Sequence, residues 1–403
     1  MREIRPSGAD TWTVCYGQPA YVESLNLVEE PKFYADEGTA AHEIASDCLQ
    51  ENESTSNVRL GDMIATDSGD IEVTMEMVDA VDAYLIEIYK SAEDKNLIVE
   101  KKIDCSDVLG KGRTGTGDAI IVPSEETTLE IHDYKHGKGV EVFARRNKQM
   151  MIYGAAFILS NPFLGPFDKV KLTIHQPRIK EAPDSWTMSV EKLMKFAKFA
   201  RKMASKADNI IIPGEGLVPG EKQCFWCPGK ATCPAIHEQI ASVFDDIDPL
   251  FDQVNLPDDS EDLAERYEKV KLVQMWCKAV LAAGFNELDR GGDLPGYKLI
   301  EGRRGDKKWK DKRRAVKALT SMRLRKDQMY ESALKSPTKI FKLLSAPRIE
   351  KLKRAELIEQ SPGKPTVAKA DDPREQILRK PVFDDLDNGN HLSNHGLDDG
   401  INY

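Results

Sequence analysis

Nothing in this sequence offers a membrane span. The longest uncharged apolar run, about Met150 to Leu159, is well short of the ~20 residues that a spanning helix needs. The first residues, Met1-Arg2-Glu3-Ile4-Arg5-Pro6, lack the apolar stretch of a secretory leader. A soluble, cytoplasmic protein is expected. Positive charge is in deficit: 57 Lys and Arg stand against 67 Asp and Glu, a formal net of −10. That excludes a globally basic nucleic-acid coat protein, though not a local basic surface. Cysteine is sparse and odd in number, seven in 403 residues, which argues against a disulfide framework in such a compartment. No internal repeat is present.

What is there suffices for a folded protein. Hydrophobic residues make up 40% and charged residues 31%, so a real core is available and two or three domains are expected. After an irregular lead-in containing Trp12 and Cys15, helical spacing begins near Asp36, with Thr39 as the expected N-cap. Residues 50–68 read as a polar loop. Val73 to Tyr89 repeats apolar residues at helical spacing. Three strands then follow at 97–103, 115–122 and 127–134, separated by short turns, an antiparallel meander. A helix is expected over 145–159, a strand over 169–174 and a helix over 190–206. The order implies an α/β layout, a mixed sheet flanked by helices.

The third strand reads Glu130-Ile131-His132-Asp133-Tyr134-Lys135. Alternation puts Asp133 and Lys135 on one face and Glu130 and His132 on the other. A carboxylate and a lysine two apart at a strand end suit metal-dependent phosphodiester hydrolysis: the acid holds a divalent cation, and the ammonium steadies charge on the attacked phosphate. If the second and third strands pair, Asp118, after Gly115-Thr116-Gly117, comes near Asp133. Two converging carboxylates call for a cation between them. Gln149 and Tyr153 share one face of the next helix, and His42 lies one turn into the first.

Taken in order, Gly38-Thr39-Ala40-Ala41-His42, Gly117-Asp118, Asp133-Tyr134-Lys135 and Gln149 to Tyr153 resemble the RecB-like branch of the PD-(D/E)XK nuclease superfamily over about residues 10–240. After the lysine, where that branch often has Thr-Gly, this chain has His136-Gly137. The resemblance implies a restriction-endonuclease-like fold and Mg²⁺ or Mn²⁺ held by His42, Asp118 and Asp133. It also implies Lys135 as the catalytic lysine, with Gln149 and Tyr153 organising the site or the DNA.

Cys224, Cys227 and Cys233 stand close together in a Gly- and Pro-rich stretch with little periodicity, and a fourth thiolate must come from elsewhere. Cys15, just ahead of the nuclease-like core, is the candidate. The same branch includes enzymes that staple the chain ends with a 4Fe–4S cluster, through one early cysteine and a late Cys-x-x-Cys-x5-Cys group. That resemblance implies a structural cluster on Cys15, Cys224, Cys227 and Cys233, with a structural Zn²⁺ as the alternative. Cys48, Cys105 and Cys277 read as isolated, buried small hydrophobes.

Residues 241–262 read as an acidic linker, and Leu263 to Asn286 as a long helix. From Gly296 to Ala355 there are 20 Lys or Arg against 6 Asp or Glu, a net of +14 that leaves −24 on the remainder. Gly296 to Trp309 reads as a hairpin, followed by short helices to 358. The region 263–360 is therefore expected to be basic, mainly helical and DNA-binding, with Trp309 among lysines as a base-stacking platform. The tail, 361–403, is expected to be disordered. The whole pattern, including Ser361 to Thr366, also resembles a family of phage and prophage proteins with this nuclease core. That implies partners in phage DNA recombination or replication, in a bacterial host cytoplasm. The expected function is a metal-dependent DNA nuclease, an exonuclease acting on ends or single strands. The alternative is a non-catalytic DNA-binding or recombination accessory protein on the same fold.

Overall fold

The computed structural model describes residues 2–27, 33–124, 127–245, 260–330 and 333–378. The chain forms two compact units, Met1–Cys277 and Lys278–Tyr403. The first unit runs past residue 240, its expected end, because Leu272 and Trp276 join a small core with Cys224, Cys233 and Ile236. Trp276 also donates its indole N–H to the Ala231 carbonyl at 3.1 Å. Most of the acidic stretch 241–262 and residues 379–403 of the tail lie outside the described residues. No helix among the described residues is long and apolar enough to cross a membrane.

The first unit opens with α1 (Ala9–Trp12), α2 (Gln18–Ser24) and α3 (Phe33–Glu51). Then come β1 (Met63–Thr66), β2 (Gly69–Glu72), α4 (Met75–Ala92), β3 (Asn96–Asp104), α5 (Ser106–Leu109), β4 (Thr114–Val122) and β5 (Thr128–Tyr134). α6 (Lys148–Ser160), β6 (Lys169–His175), β7 (Asp184–Ser189), α7 (Val190–Asp208), α8 (Glu221–Phe225) and α9 (Pro234–Asp245) follow, and the division between the units falls within α10 (Ser260–Asp289). Five strands make one mixed sheet in the order β3-β4-β5-β6-β7. The expected meander β3–β4–β5 is antiparallel, and only β5–β6 runs parallel. A parallel pair needs a long crossover, which α6 supplies.

Both faces of the sheet are covered. On one, Ile120, Leu129, Ile131 and Leu172 pack against Met150 and Phe157 of α6 and Leu193 of α7. On the other, Ala119 and Tyr134 pack against Ile44 of α3 and Val81, Tyr84 and Leu85 of α4. The central strand β5 is buried from Leu129 to Tyr134, as expected of a strand covered on both sides. Local signals explain the helix starts. The Thr74, Asn147 and Ser189 side chains accept N–H groups at the first turns of α4, α6 and α7.

Three local expectations change. Thr39 is not a cap: α3 starts at Phe33, and the Thr39 hydroxyl bonds back to the Ala35 carbonyl at 3.1 Å, a helix-interior habit of threonine. The polar stretch 50–68 is not all loop, since β1 pairs with β2. β7 has no counterpart in the sequence reading, because it is a polar edge strand with only Met188 buried.

The second unit contains β8 (Tyr297–Glu301), β9 (Lys308–Trp309), α11 (Lys312–Ser321), α12 (Lys326–Met329), α13 (Pro337–Phe341), α14 (Ala346–Arg354), β10 (Ile358–Glu359) and β11 (Pro365–Lys369). The expected hairpin over 296–309 does not form: β8 pairs with β11, and β9 with β10. Glycines permit the first pairing, since the Gly302 N–H reaches the Lys364 carbonyl at 2.7 Å and a Cβ on Gly363 would collide with the Gly302 carbonyl. β11 also means that the disordered tail does not begin at residue 361. Trp309 is half-buried against the core of this unit rather than freely exposed. It packs on the cluster of Leu319, Met329, Ile340 and Leu352, and its indole donates to the Lys335 carbonyl at 2.9 Å.

Glu130 gives the sheet an acid-sensitive point. Its buried carboxylate meets Lys95 at 2.8 Å and Lys171 at 2.7 Å. Burial alone would raise its pKa, but the nearby His132 imidazole, 3.6 Å away, and the hydrogen-bonded ammonium groups of Lys171 and Lys95 outweigh that and hold the carboxyl well below its usual range. The stabilisation is complete above the ordinary Glu range near ~4.3 and is lost as pH falls below it. In denaturant titrations, Glu130→Gln should therefore show a shallower loss of stability than the native chain between about pH 5 and pH 3; equal slopes would contradict this account.

Candidate functional site

Three elements converge at the end of β5. The Lys135 N–H bonds to the His175 carbonyl at 2.8 Å, continuing the parallel ladder past Tyr134. This fixes the Lys135 side chain beside Asp133, with Nζ 2.6 Å from Oδ2. From β4, Asp118 Oδ2 accepts the Tyr134 N–H at 2.7 Å, so the two carboxylates flank one peptide. α3 delivers His42, whose Nδ1 lies 3.5 Å from Asp118 Oδ2 and whose ring meets Tyr134 edge-on, centroids 5.3 Å apart. α6 delivers Gln149, whose amide N–H is 3.4 Å from Asp133 Oδ1 and 3.2 Å from the Tyr153 hydroxyl. Tyr153 is held by a close approach, since a Cβ on Gly115 would sit 2.5 Å from its ring. His42, Asp118, Asp133, Lys135, Gln149 and Tyr153, separated by up to 111 positions in the chain, are thus neighbours.

A seventh residue belongs with them. Glu100 of β3 faces Asp118, between the pairs Val99↔Ala119 and Lys101↔Gly117. Its φ of 45° breaks the ladder there. A non-glycine residue in that left-handed region costs about 1–3 kcal/mol, a strain that turns Glu100 out of the regular pleat. One donor atom each from His42, Glu100 and Asp118 lie within 4.8 Å of one another, the tightest such set among the described residues. These residues line a small cleft with Ser46, Leu49, Tyr84 and Tyr134. Asp133 stands beside this triad, engaged by Lys135 and Gln149. The signal for Glu100 was a single carboxylate within an otherwise apolar strand start, Leu97-Ile98-Val99. Without the register of β3 on β4, it reads as surface charge.

The electrostatics suit a cation. Burial, then the Asp133 charge, raises Asp118 well above the usual carboxylate range. Burial raises Glu100 as well. Burial lowers His42, so it is a neutral imidazole, the form that ligates metals. Burial would lower Lys135, but Asp133 and Asp118 outweigh it and keep the ammonium charged. Two carboxylates and an imidazole, all disfavoured as anions or cations without a partner, form a donor set that fits a hard divalent ion.

Four of the cysteines feel one another's charge. The Cys15 thiol is raised by burial and feels Cys224 and Cys233. Cys227 is pushed up to about 12 by burial and feels Cys224, Cys15 and Cys233. The Val218 N–H donates to Cys15 Sγ at 3.2 Å and the Gly220 N–H to Cys224 Sγ at 3.4 Å, the bonds that steady a metal-bound sulfur. The amino-terminal segment is stitched to this stretch: the Gly17 N–H meets the Gly216 carbonyl at 2.9 Å, and the Tyr21 hydroxyl donates to the Thr232 carbonyl at 2.7 Å. Any Cβ on Gly17 would collide with the Glu215 carbonyl. Cys48 and Cys105 are buried apart from this group, whereas Cys277, expected to be buried, is exposed.

The raised Asp118 has a testable sign. Between the ordinary Asp range near ~3.9 and its raised value, the folded chain binds more protons than the unfolded one. Metal-free stability therefore falls as pH rises through that window. Asp118→Asn should flatten this slope and raise the melting temperature of metal-free protein at neutral pH. The same substitution should abolish the stabilisation by Mn²⁺, as followed by thermal melts with and without the ion. A variant still stabilised by Mn²⁺ would remove Asp118 from the donor set.

Residues 3–375 match the model of a family described as protein of unknown function, DUF2800. The match spans both units, and the chain belongs to this family.

Proposed function

We propose that this protein is a divalent-cation-dependent DNA nuclease of restriction-endonuclease-like architecture. The observation that carries the reading is the convergence of His42, Glu100 and Asp118 within one ion's reach, beside the Lys135–Asp133 pair. Support also comes from the five-stranded mixed sheet, which presents Glu100 and Asp118 from the middles of β3 and β4 and the Asp133–Lys135 pair from the end of β5. His42, Glu100 and Asp118, with Asp133 adjoining, would hold Mg²⁺ or Mn²⁺. Bound there, the ion would supply Lewis-acid polarisation of the scissile phosphate and activate water. Lys135 holds a full positive charge where the attacked phosphate gains negative charge. Asp133 orients that ammonium, and Gln149, bonded to both Asp133 and Tyr153, fixes the carboxylate. Lysines and arginines of the second unit supply phosphate contacts.

The substrate we assign is DNA, cleaved exonucleolytically from ends or on single strands, in phage recombination or replication. Cys15, Cys224, Cys227 and Cys233 are assigned to a structural 4Fe–4S cluster in preference to Zn²⁺. The four thiols feel one another's charge, and one early cysteine with the late group Cys224, Cys227 and Cys233 is the arrangement of the iron–sulfur enzymes that the sequence resembles.

Lys135→Ala should reduce digestion of linear single- or double-stranded DNA by at least 10²-fold in Mn²⁺ or Mg²⁺ (roughly the worth of one electrostatic stabiliser), with Mn²⁺ and DNA binding retained. Full activity in that variant would overturn the assignment. DNA binding by the native chain without digestion would instead favour the accessory-protein reading. For the cysteines, anaerobically purified protein should carry broad visible absorbance that Cys15→Ser or Cys227→Ser removes. Colourless native protein containing stoichiometric zinc would overturn the iron assignment.

A further inference from the structure

Tyr84 is a buried polar residue beside the cleft whose hydroxyl finds no partner within the chain. α4 carries it into the core between α3 and the sheet, and 1% of its surface is exposed. Its ring is fixed on two sides, by Tyr134 with centroids 4.9 Å apart and by the His175 ring edge-on at 5.0 Å. Its hydroxyl is buried and has no hydrogen-bond partner. Leaving a buried hydroxyl unsatisfied costs about 1–3 kcal/mol, and a phenylalanine would fill the same space without that cost. The residue also lines the cleft of His42, Glu100 and Asp118. Burial, then the charges of Asp118, Asp133 and Glu100, hold the phenol well above its usual range, so at neutral pH it is a protonated donor in a cleft that Asp118 and Glu100 also line.

We infer that the Tyr84 hydroxyl is a positioning group for the cation site, hydrogen bonding to the hydrated divalent ion held by His42, Glu100 and Asp118. The inference rests on the nuclease reading only for the presence of the ion, not for cleavage. An ion in the cleft arrives with water in its shell, and that water supplies the partner that the chain withholds from Tyr84. The group thus acts on binding and orientation, whereas Lys135 acts on the phosphate.

The test is Tyr84→Phe, read by Mn²⁺ calorimetry and metal-free melting temperature, with DNA digestion as a third measurement. The variant keeps the ring and its two aromatic neighbours, so the metal-free melting temperature should be unchanged or higher. Mn²⁺ affinity should fall about tenfold to hundredfold, the usual effect of removing an outer partner of a metal site. A purely packing role would move the melting temperature and leave Mn²⁺ affinity alone, and that result would overturn the inference. If the native chain binds Mn²⁺ normally and Tyr84→Phe matches it, the inference fails while the nuclease reading stands. If the native chain binds no Mn²⁺, both fail. If Mn²⁺ affinity drops as expected but the native chain digests no DNA, the inference stands and the nuclease reading fails.

Discussion

Like charge forced into one cleft is the constraint around which the first unit is arranged. Glu100, Asp118 and Asp133 converge on neighbouring strands of the sheet, where burial makes Glu100 and Asp118 costly as anions. Lys135 offsets Asp133 at 2.6 Å. His42, lowered by burial, contributes a lone pair and no charge. Such an arrangement persists only because the surrounding elements over-determine it. The β4–β5 register sets Asp118 against the Tyr134 peptide, the β3–β4 register sets Glu100 opposite Asp118, and α3 is locked by Ala40, Ala41 and Ile44 in the core.

The two faces of the sheet divide the work. The α3–α4 face brings the imidazole and the Tyr84 phenol, both edge-on or tilted against Tyr134. The α6–α7 face brings Gln149, which reaches Asp133, and Tyr153, which is bonded to Gln149. β5, buried on both faces, carries side chains to each. Alternation along Asp133, Tyr134 and Lys135 therefore distributes the acid–lysine pair and the tyrosine between them to opposite sides in three residues.

Much of the first unit was legible because its signals are local. Apolar periodicity and caps mark α4, α6 and α7, and the meander shows as three β-rich runs between short turns. Asp118, Asp133 and Lys135 were legible because a strand fixes which residues share a face. Glu100 was not, since its role depends on a cross-strand register and a left-handed backbone that no single-strand pattern announces. β7 failed for want of apolar alternation. In the second unit, local reading paired β8 with β9 because they are close in sequence. The actual partners, β11 and β10, come from 66 and 49 residues further on, as the registers Thr366↔Ile300 and Ile358↔Trp309 imply. The Trp309 environment was hidden for the same reason: lysines flank it in sequence, while Leu319 and Leu352 surround it in space.

The stitching of the amino-terminal segment onto residues 215–233 has a consequence for biogenesis. Cys15, Gly17 and Tyr21 have their partners about 200 positions downstream. At about 5–20 residues per second, a ribosome takes on the order of 10–40 s to deliver Cys233 after Cys15. During that interval the first segment has nowhere to dock, and its thiol waits alone. Docking of the amino-terminal segment thus waits until residues 215–233 have been made, although it belongs to the first part of the chain to emerge.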